Sequence, residues 1–400
     1  MMFSLFLCLL FAYMLMIVYI MFSMAVVVDS FAIPILENIA YKYSLNQQMQ
    51  GCLLAIGAAM PEFTTNLLAC FRNEVNLGLG AITASGAYDF TVCFGISGLL
   101  SKGVVLYWGL YFRDSLVYLL TLGLLTLFCR DGKIELYETI ILIGLYPLYL
   151  VLVGWIWKGK EEDKQQEMQS NNSCLNIEDK ICEENEKLIK EEEVTIIKVE
   201  AKTRENVDNN EEQKESFFNK TANIYSYFIP VWKNYPIISF VIIMAYIFLH
   251  SNCILLLIKN ISKLAGISDN FLGMFLISLG GNIGDTINSY VAATKNAPAL
   301  LSSSVLGSQI TNIQLCLGFP WLLTLIKQSI NHSQNPGIEI EAESKNHNIL
   351  LFFLPLIICV LSSQIIFSAF AMKLNKYSGL SLLLVYFGYF IYEAIDNKIF

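Results

Sequence analysis

Charge is what this 400-residue sequence has least of. Asp, Glu, Lys and Arg make up 15% of it, against about 25% in a typical soluble domain. With 55% apolar residues and a mean hydropathy of +0.53, the deficit points to lipid as the solvent. The charge that is present is unevenly spread. Residues 158–215 hold ten basic and eighteen acidic side chains, which is the whole net charge of −8; the rest carries sixteen of each sign. No basic stripe is available to meet phosphates, so a nucleic-acid binder is excluded. Histidine is nearly missing: His250, His332 and His347 fall near segment ends or in loops, which leaves a zinc transporter without ligands. Most of the ten cysteines (Cys8, Cys52, Cys70, Cys93, Cys253, Cys316, Cys359) lie inside apolar runs and read as small hydrophobes rather than a disulfide framework. No Walker-type motif and no nucleophile–base pair occurs, which argues against an ATP-driven pump and against an enzyme. No cofactor is expected.

What the sequence does have is long apolar runs. A bilayer core of about 30 Å needs about 20 apolar residues in a helix. Ten stretches qualify: roughly 3–27, 51–71, 77–100, 110–128, 135–157, 235–258, 268–293, 299–326, 349–371 and 376–395. The first lacks a basic leader and a clear cleavage site, so it reads as a retained helix. The expected fold is an all-α membrane protein of about ten transmembrane helices. Residues 1–157 form a first five-helix half, 158–228 an acidic loop, and 229–400 a second half. The loop, with runs such as Glu191-Glu192-Glu193, cannot bury a core and is expected to be disordered or partly helical. It contains no EF-hand pattern. With the loop on the cytoplasmic side, the bias of Lys and Arg puts both termini on the opposite side. An odd number of spans per half makes the halves enter the membrane from opposite sides, so repeats here are inverted repeats.

The informative residues are polar ones inside the apolar runs. Gly57-Ala58-Ala59-Met60-Pro61-Glu62 and Gly280-Gly281-Asn282-Ile283-Gly284-Asp285 each place a carboxylate five residues after a glycine. Some 23 to 27 residues later each half has a second polar cluster, one containing Ser85 and Asp89, the other Ser308 and Asn312. This is the weak internal symmetry of inverted-repeat transporters. An ionised carboxylate at mid-bilayer costs at least about 2.5–3.5 kcal/mol. Glu62, Asp89 and Asp285 are tolerable around a cavity that holds cations, and no Lys or Arg lies in the four stretches to neutralise them. Glycines and Pro61 loosen the helices and free backbone carbonyls. Hard cations such as Ca²⁺ and Na⁺ take such oxygens.

These stretches resemble the two alpha-repeats of potassium-dependent sodium/calcium exchangers, in the calcium/cation antiporter superfamily. Further matches are Asp29, Pro34 and Glu37 after the first helix, Arg113-Asp114-Ser115, and Val305-Leu306-Gly307-Ser308 through Gly318-Phe319-Pro320-Trp321. The resemblance implies that Glu62 and Asp285 are the central Ca²⁺ ligands, shared with Na⁺. Asp89 and Asn312 would flank them, Ser85 and Ser308 would supply hydroxyls, and Asn282 would stand at a hydroxyl position of the motif. It implies exchange of Ca²⁺ for Na⁺ by alternating access, with K⁺ co-transported. The chain departs from the family in lacking hydroxyls at Ala58, Ala59 and Gly281. Asp89 and Asn312 also reverse the usual Asn and Asp, which keeps the charge of the site constant. Two alternatives stay open: a Ca²⁺/H⁺ exchanger of the same fold, and a cation-binding membrane protein that does not transport. Membrane lipid and the transported ions are the expected partners. The sequence assigns neither the oligomeric state nor the choice between plasma membrane and an internal membrane.

Overall fold

The computed structural model describes residues 2–45, 47–101, 103–153, 236–331, 337–340 and 349–396. Met1–Leu150 and Pro230–Phe400 form one unit and Val151–Ile229 another. Of the second, only residues 151–153 are described, so the expectation for the acidic loop lies outside the described residues.

In the first half, helix α1 (Met2–Val27) runs through a π turn, Val28–Ala32, into α2 (Ile33–Lys42). Then come α3 (Gln47–Ala58) and α4 (Met60–Phe71), and α5 (Val75–Tyr88), which passes through a π turn, Asp89–Cys93, into α6 (Phe94–Leu100). A short strand β1 (Val104–Val105), α7 (Trp108–Phe128), β2 (Lys133–Ile134) and α8 (Leu136–Val151) complete it. The second half follows the same order: α9 (Pro236–Ala265), α10 (Asp269–Gly281), α11 (Ile283–Thr294), and α12 (Pro298–Thr311) with a π turn, Asn312–Leu317, into α13 (Gly318–Ile330). After these come β3 (Ile338–Glu339), α14 (Ile349–Ala369), β4 (Lys373–Leu374) and α15 (Lys376–Asp396).

The described residues are thus nearly all helical, and the fold is that of a membrane protein. Seven helical runs among the described residues are long and apolar enough to cross a membrane, or eight if the bent pair α3–α4 counts as one; α8 is a shorter apolar helix. Two expected spans differ from the sequence reading. Residues 51–71 and 268–293 are each two helices, interrupted at Ala59 and Asn282. His250 also differs, lying inside α9 rather than near an end, where its ring stacks on Tyr246 at 4.0 Å.

The halves interlock by reciprocal contacts. α5 packs on α10 and α12 packs on α3, each pair joining the two repeats. β1 pairs with β4 and β2 with β3, so the strand after each third segment meets the strand before the other half's last helix. Gly95 of α6 lies against Leu383 of α15, and Gly318 of α13 against Ile143 of α8. A Cβ would come within 3.0 Å of Leu383 or 2.9 Å of Ile143, so glycine sets both approaches. From α1 to α6 and α9 to α13, corresponding residues stand 223 positions apart, as Gly95 and Gly318 do; beyond these segments the spacing lengthens, to 240 between β2 and β4. Ser23 and Tyr246 share the spacing of 223 and touch each other, Oγ to OH at 3.0 Å, which puts the approximate two-fold axis between α1 and α9.

Helix ends obey the same symmetry. Asn73 and Asn296 both take left-handed φ (58° and 51°). After α4, the N–H of Glu74 reaches Ala69 O (2.8 Å) and that of Asn73 reaches Cys70 O (3.2 Å). After α11, Ala297 N–H reaches Ala292 O (2.9 Å) and Asn296 N–H reaches Ala293 O (3.1 Å). Both are Schellman closures, with Asn where glycine is commonest. The repeat segments α5–α6 and α12–α13 are mostly enclosed, whereas α7 and α15 expose stripes such as Leu380, Leu384, Phe387 and Ile391. Lipid tails are as apolar as Leu, so such stripes face the bilayer without penalty.

Candidate cation site

Each helix interruption places one acid. Ala59 (φ −78°, ψ 1°) and Asn282 (φ −90°, ψ 7°) leave the helical region, yet each keeps hydrogen bonds on both sides. Ala59 N–H donates to Ala55 O and Phe63 N–H to Ala59 O, both at 3.0 Å; Asn282 N–H donates to Ser278 O at 3.1 Å and Thr286 N–H to Asn282 O at 2.9 Å. The chain re-enters a helix at once, bent by 49° between α3 and α4. Pro61 fits in the first turn of α4, where its missing N–H leaves no bond unmade. Glu62 and Asp285 then fall third in the new helices, where the positive end of the helix dipole favours a carboxylate. Both are buried, 3% and 4% exposed, and Asp89 is 0% exposed.

The second clusters sit where α5 and α12 pass into π turns, beginning at Asp89 and Asn312. Such turns locally widen a helix and recur at functional sites. Across the two halves the side chains form one network. Ser308 Oγ donates to Asp285 Oδ2 at 2.9 Å, and Ser85 Oγ to Asn282 Oδ1 at 2.9 Å. Gln309 Nε2 donates to Asp89 Oδ2 at 2.7 Å and to Ser85 Oγ at 3.1 Å; Asn312 Nδ2 donates to Ser85 Oγ at 3.4 Å. The carboxyls of Asp89 and Asp285 are within hydrogen-bonding reach of each other. Two carboxylates so placed repel unless a proton or a cation lies between them. Glu62 stands at the edge of this network, its Oε1 against the backbone of Gly281 beside Asn282.

The structure therefore brings all seven sequence-predicted residues to one place, but they do different things there. The Ser85 hydroxyl gives one hydrogen bond and takes two, which is its full capacity. Within the site three buried oxygens have no partner, Glu62 Oε2, Gln309 Oε1 and Asn312 Oδ1, and so does one donor, Asn282 Nδ2. The three oxygens are hard acceptors. The two ion pairs found among the described residues, Arg113–Asp114 and Lys259–Glu74, involve none of the three acids. Nor do three His, Cys, Asp or Glu side chains converge as a metal-holding group among the described residues. Amide, hydroxyl and carboxylate oxygens together make up the donor set.

Sequence reasoning missed two members. Gln309 lies between Ser308 and Asn312, so its place in that polar cluster was the available signal. Cys93, read as a small hydrophobe, instead donates through Sγ to Asp89 Oδ1 at 3.1 Å and lies 3.4 Å from Thr286 Oγ1. The correction has a simple cause: Cys93 is one turn after Asp89 and shares its face.

Fold and site together define an integral, multi-pass membrane protein with a buried acidic site shared between two interlocked repeats. The chain belongs to the sodium/calcium exchanger protein family, which it matches over residues 2–155 and 236–394. It is 24% identical to human sodium/potassium/calcium exchanger 5 over 94% of this chain and 81% of that one. With human sodium/potassium/calcium exchanger 3 it shares 30% identity over 34% of this chain and 22% of the other. A solved structure of the sodium-calcium exchanger NCX_Mj has the same fold, with a TM-score of 0.51 and 16% identity, covering 97% of this chain and 98% of that one.

Proposed function

We propose that the protein is a secondary-active antiporter that exchanges Ca²⁺ for Na⁺, with or without K⁺ co-transport, by alternating access through this one site. The observation that carries the reading is the set of three buried acids beside two unpartnered amide oxygens, with no basic group among the described residues hydrogen-bonded to any of the acids. Burial of that much negative charge is favourable only with cations bound. Glu62 and Asp285 bind Ca²⁺ from opposite repeats, Asp89 adds the third charge, and Gln309 and Asn312 add neutral oxygens. Ser308 orients Asp285, and Asn282 and Ser85 brace the seam between the repeats. Na⁺ moving down its gradient supplies the energy, about 2.3 kcal/mol per charge per 100 mV plus the concentration term. The names of the sodium/potassium/calcium exchanger relatives favour K⁺ as a co-substrate.

A second reading, Ca²⁺/H⁺ exchange, is favoured by one observation: the contact between the Asp89 and Asp285 carboxyls, which suits a shared proton as well as a cation. Ca²⁺ uptake into proteoliposomes loaded with Na⁺, K⁺, choline or acid separates the two. Uptake that needs internal Na⁺ and vanishes in Glu62→Gln and Asp285→Asn supports Na⁺ coupling, and external K⁺ then tests co-transport. Uptake driven by acid loading alone overturns it in favour of H⁺. No uptake under any gradient, from protein that is folded and binds Ca²⁺, makes the chain a binder and not a carrier.

A further inference from the structure

The two central acids differ in length, and so do the residues that correspond to each other at the two helix interruptions, Gly281 and Ala58. Glu62 meets Gly281 of the other repeat. A Cβ at position 281 would overlap Glu62 Oε1, lie 2.9 Å from Cδ and 3.5 Å from Oε2. The carboxylate therefore occupies the space that any side chain at 281 would need. Its other oxygen, Oε2, is buried and unpartnered, and Glu62, Gly280 and Gly281 line one small cavity whose other walls are mostly apolar, Met21, Met24 and Ile277 among them. The position corresponding to Gly281, 223 residues earlier, is Ala58, and the acid corresponding to Glu62 is Asp285, one methylene shorter. By this correspondence, glycine stands in the repeat that faces the long acid and alanine in the repeat that holds it.

We infer that Gly281 is a positioning residue for cation binding: the space it leaves holds the Glu62 carboxylate where its unpartnered oxygen serves as a ligand. Chain length at 62 and side-chain size at 281 are then one joint variable. The inference rests on the reading of Glu62 as a cation ligand. Only the far end of a flexible side chain stands in the way of a methyl group at 281, so the helices keep their packing and the carboxylate moves. Ca²⁺–oxygen distances lie within about 2.3–2.6 Å, so a shift of about 1 Å removes the ligand while leaving the fold.

The test is a double-mutant cycle on the full chain in detergent, read as Ca²⁺ dissociation constants by titration calorimetry, with the melting temperature of the ion-free protein measured alongside. Gly281→Ala and Glu62→Asp should each weaken Ca²⁺ binding at least about tenfold, and the two together should return to within about threefold of the parent. Ion-free melting should stay unchanged. Gly123→Ala, where a Cβ meets nothing within 4 Å, should bind as the parent does. Losses that add, or parent-like binding by Gly281→Ala, overturn the inference. If Gly281→Ala fails to fold, the comparison is made in the Glu62→Asp background: tighter binding on adding Gly281→Ala supports it, weaker binding overturns it. Parent-like Ca²⁺ binding by Glu62→Gln overturns the ligand reading itself, a result distinct from failure of the coupling.

Discussion

The starts of α4 and α11 are built alike and hold their acids differently. Each follows a single non-helical residue, each puts its carboxylate third in the new helix, and each helix closes on a left-handed asparagine. Yet Asp285 is tied by Ser308 and touches Asp89, whereas Glu62 rests on a glycine with one oxygen unpartnered. Backbone symmetry has been kept and side-chain symmetry has not. Under the proposed function, Glu62 is the acid free to follow a cation between states, and Asp285 the one that stays.

The strongest way to break this comparison is to move a charge across the axis. Asp89→Asn should cost about 3 kcal/mol of Ca²⁺ binding, roughly a hundredfold in affinity. Adding Asn312→Asp should recover most of that loss in calorimetry. A double mutant as weak as the single would mean that the halves are not interchangeable in charge. Gln309→Leu comes next, since it removes two donors and a free oxygen. About 2 kcal/mol, near thirtyfold, is expected in the same titration. Ser308→Ala should cost about 1 kcal/mol, near fivefold, because it unties Asp285 without removing a charge. An effect on Ca²⁺ binding as large as that of Asp285→Asn would reverse the roles given to the tied and untied acids. The smallest effects belong to the shared backbone. Asn73→Gly and Asn296→Gly should each raise stability by up to about 1 kcal/mol, to the same degree, with uptake unchanged. Unequal thermal shifts would show that the two closures are not equivalent.

Much of this was legible in the sequence, for a physical reason. Carboxylates inside apolar runs are costly, so Glu62, Asp89 and Asp285 stand out without any structure, and their spacing reveals the repeat. Hydroxyls at Ser85 and Ser308 follow from the same register. The partners of those groups were not legible. Gln309 reaches Asp89 across 220 positions, and no local pattern announces a contact between halves. Cys93 looked apolar because its neighbours are. The strands have two residues each, too few to show an alternating pattern. Glycine at 281 looked like a lost hydroxyl; only the position of Glu62 shows what occupies its place.

The crossed strands have a consequence for how the chain is made. β1 leaves the ribosome early, and its partner β4 is among the last segments translated. At about 5–20 residues per second, the wait is on the order of tens of seconds. β2 waits likewise for β3. For most of that interval the first half lacks α10 and α12, and to its end it lacks α15, against which its buried faces close. Closure therefore comes at the end of synthesis: a product stopped before residue 373 leaves α6 without α15 and β1 unpaired, although α6 already has α11 to pack on.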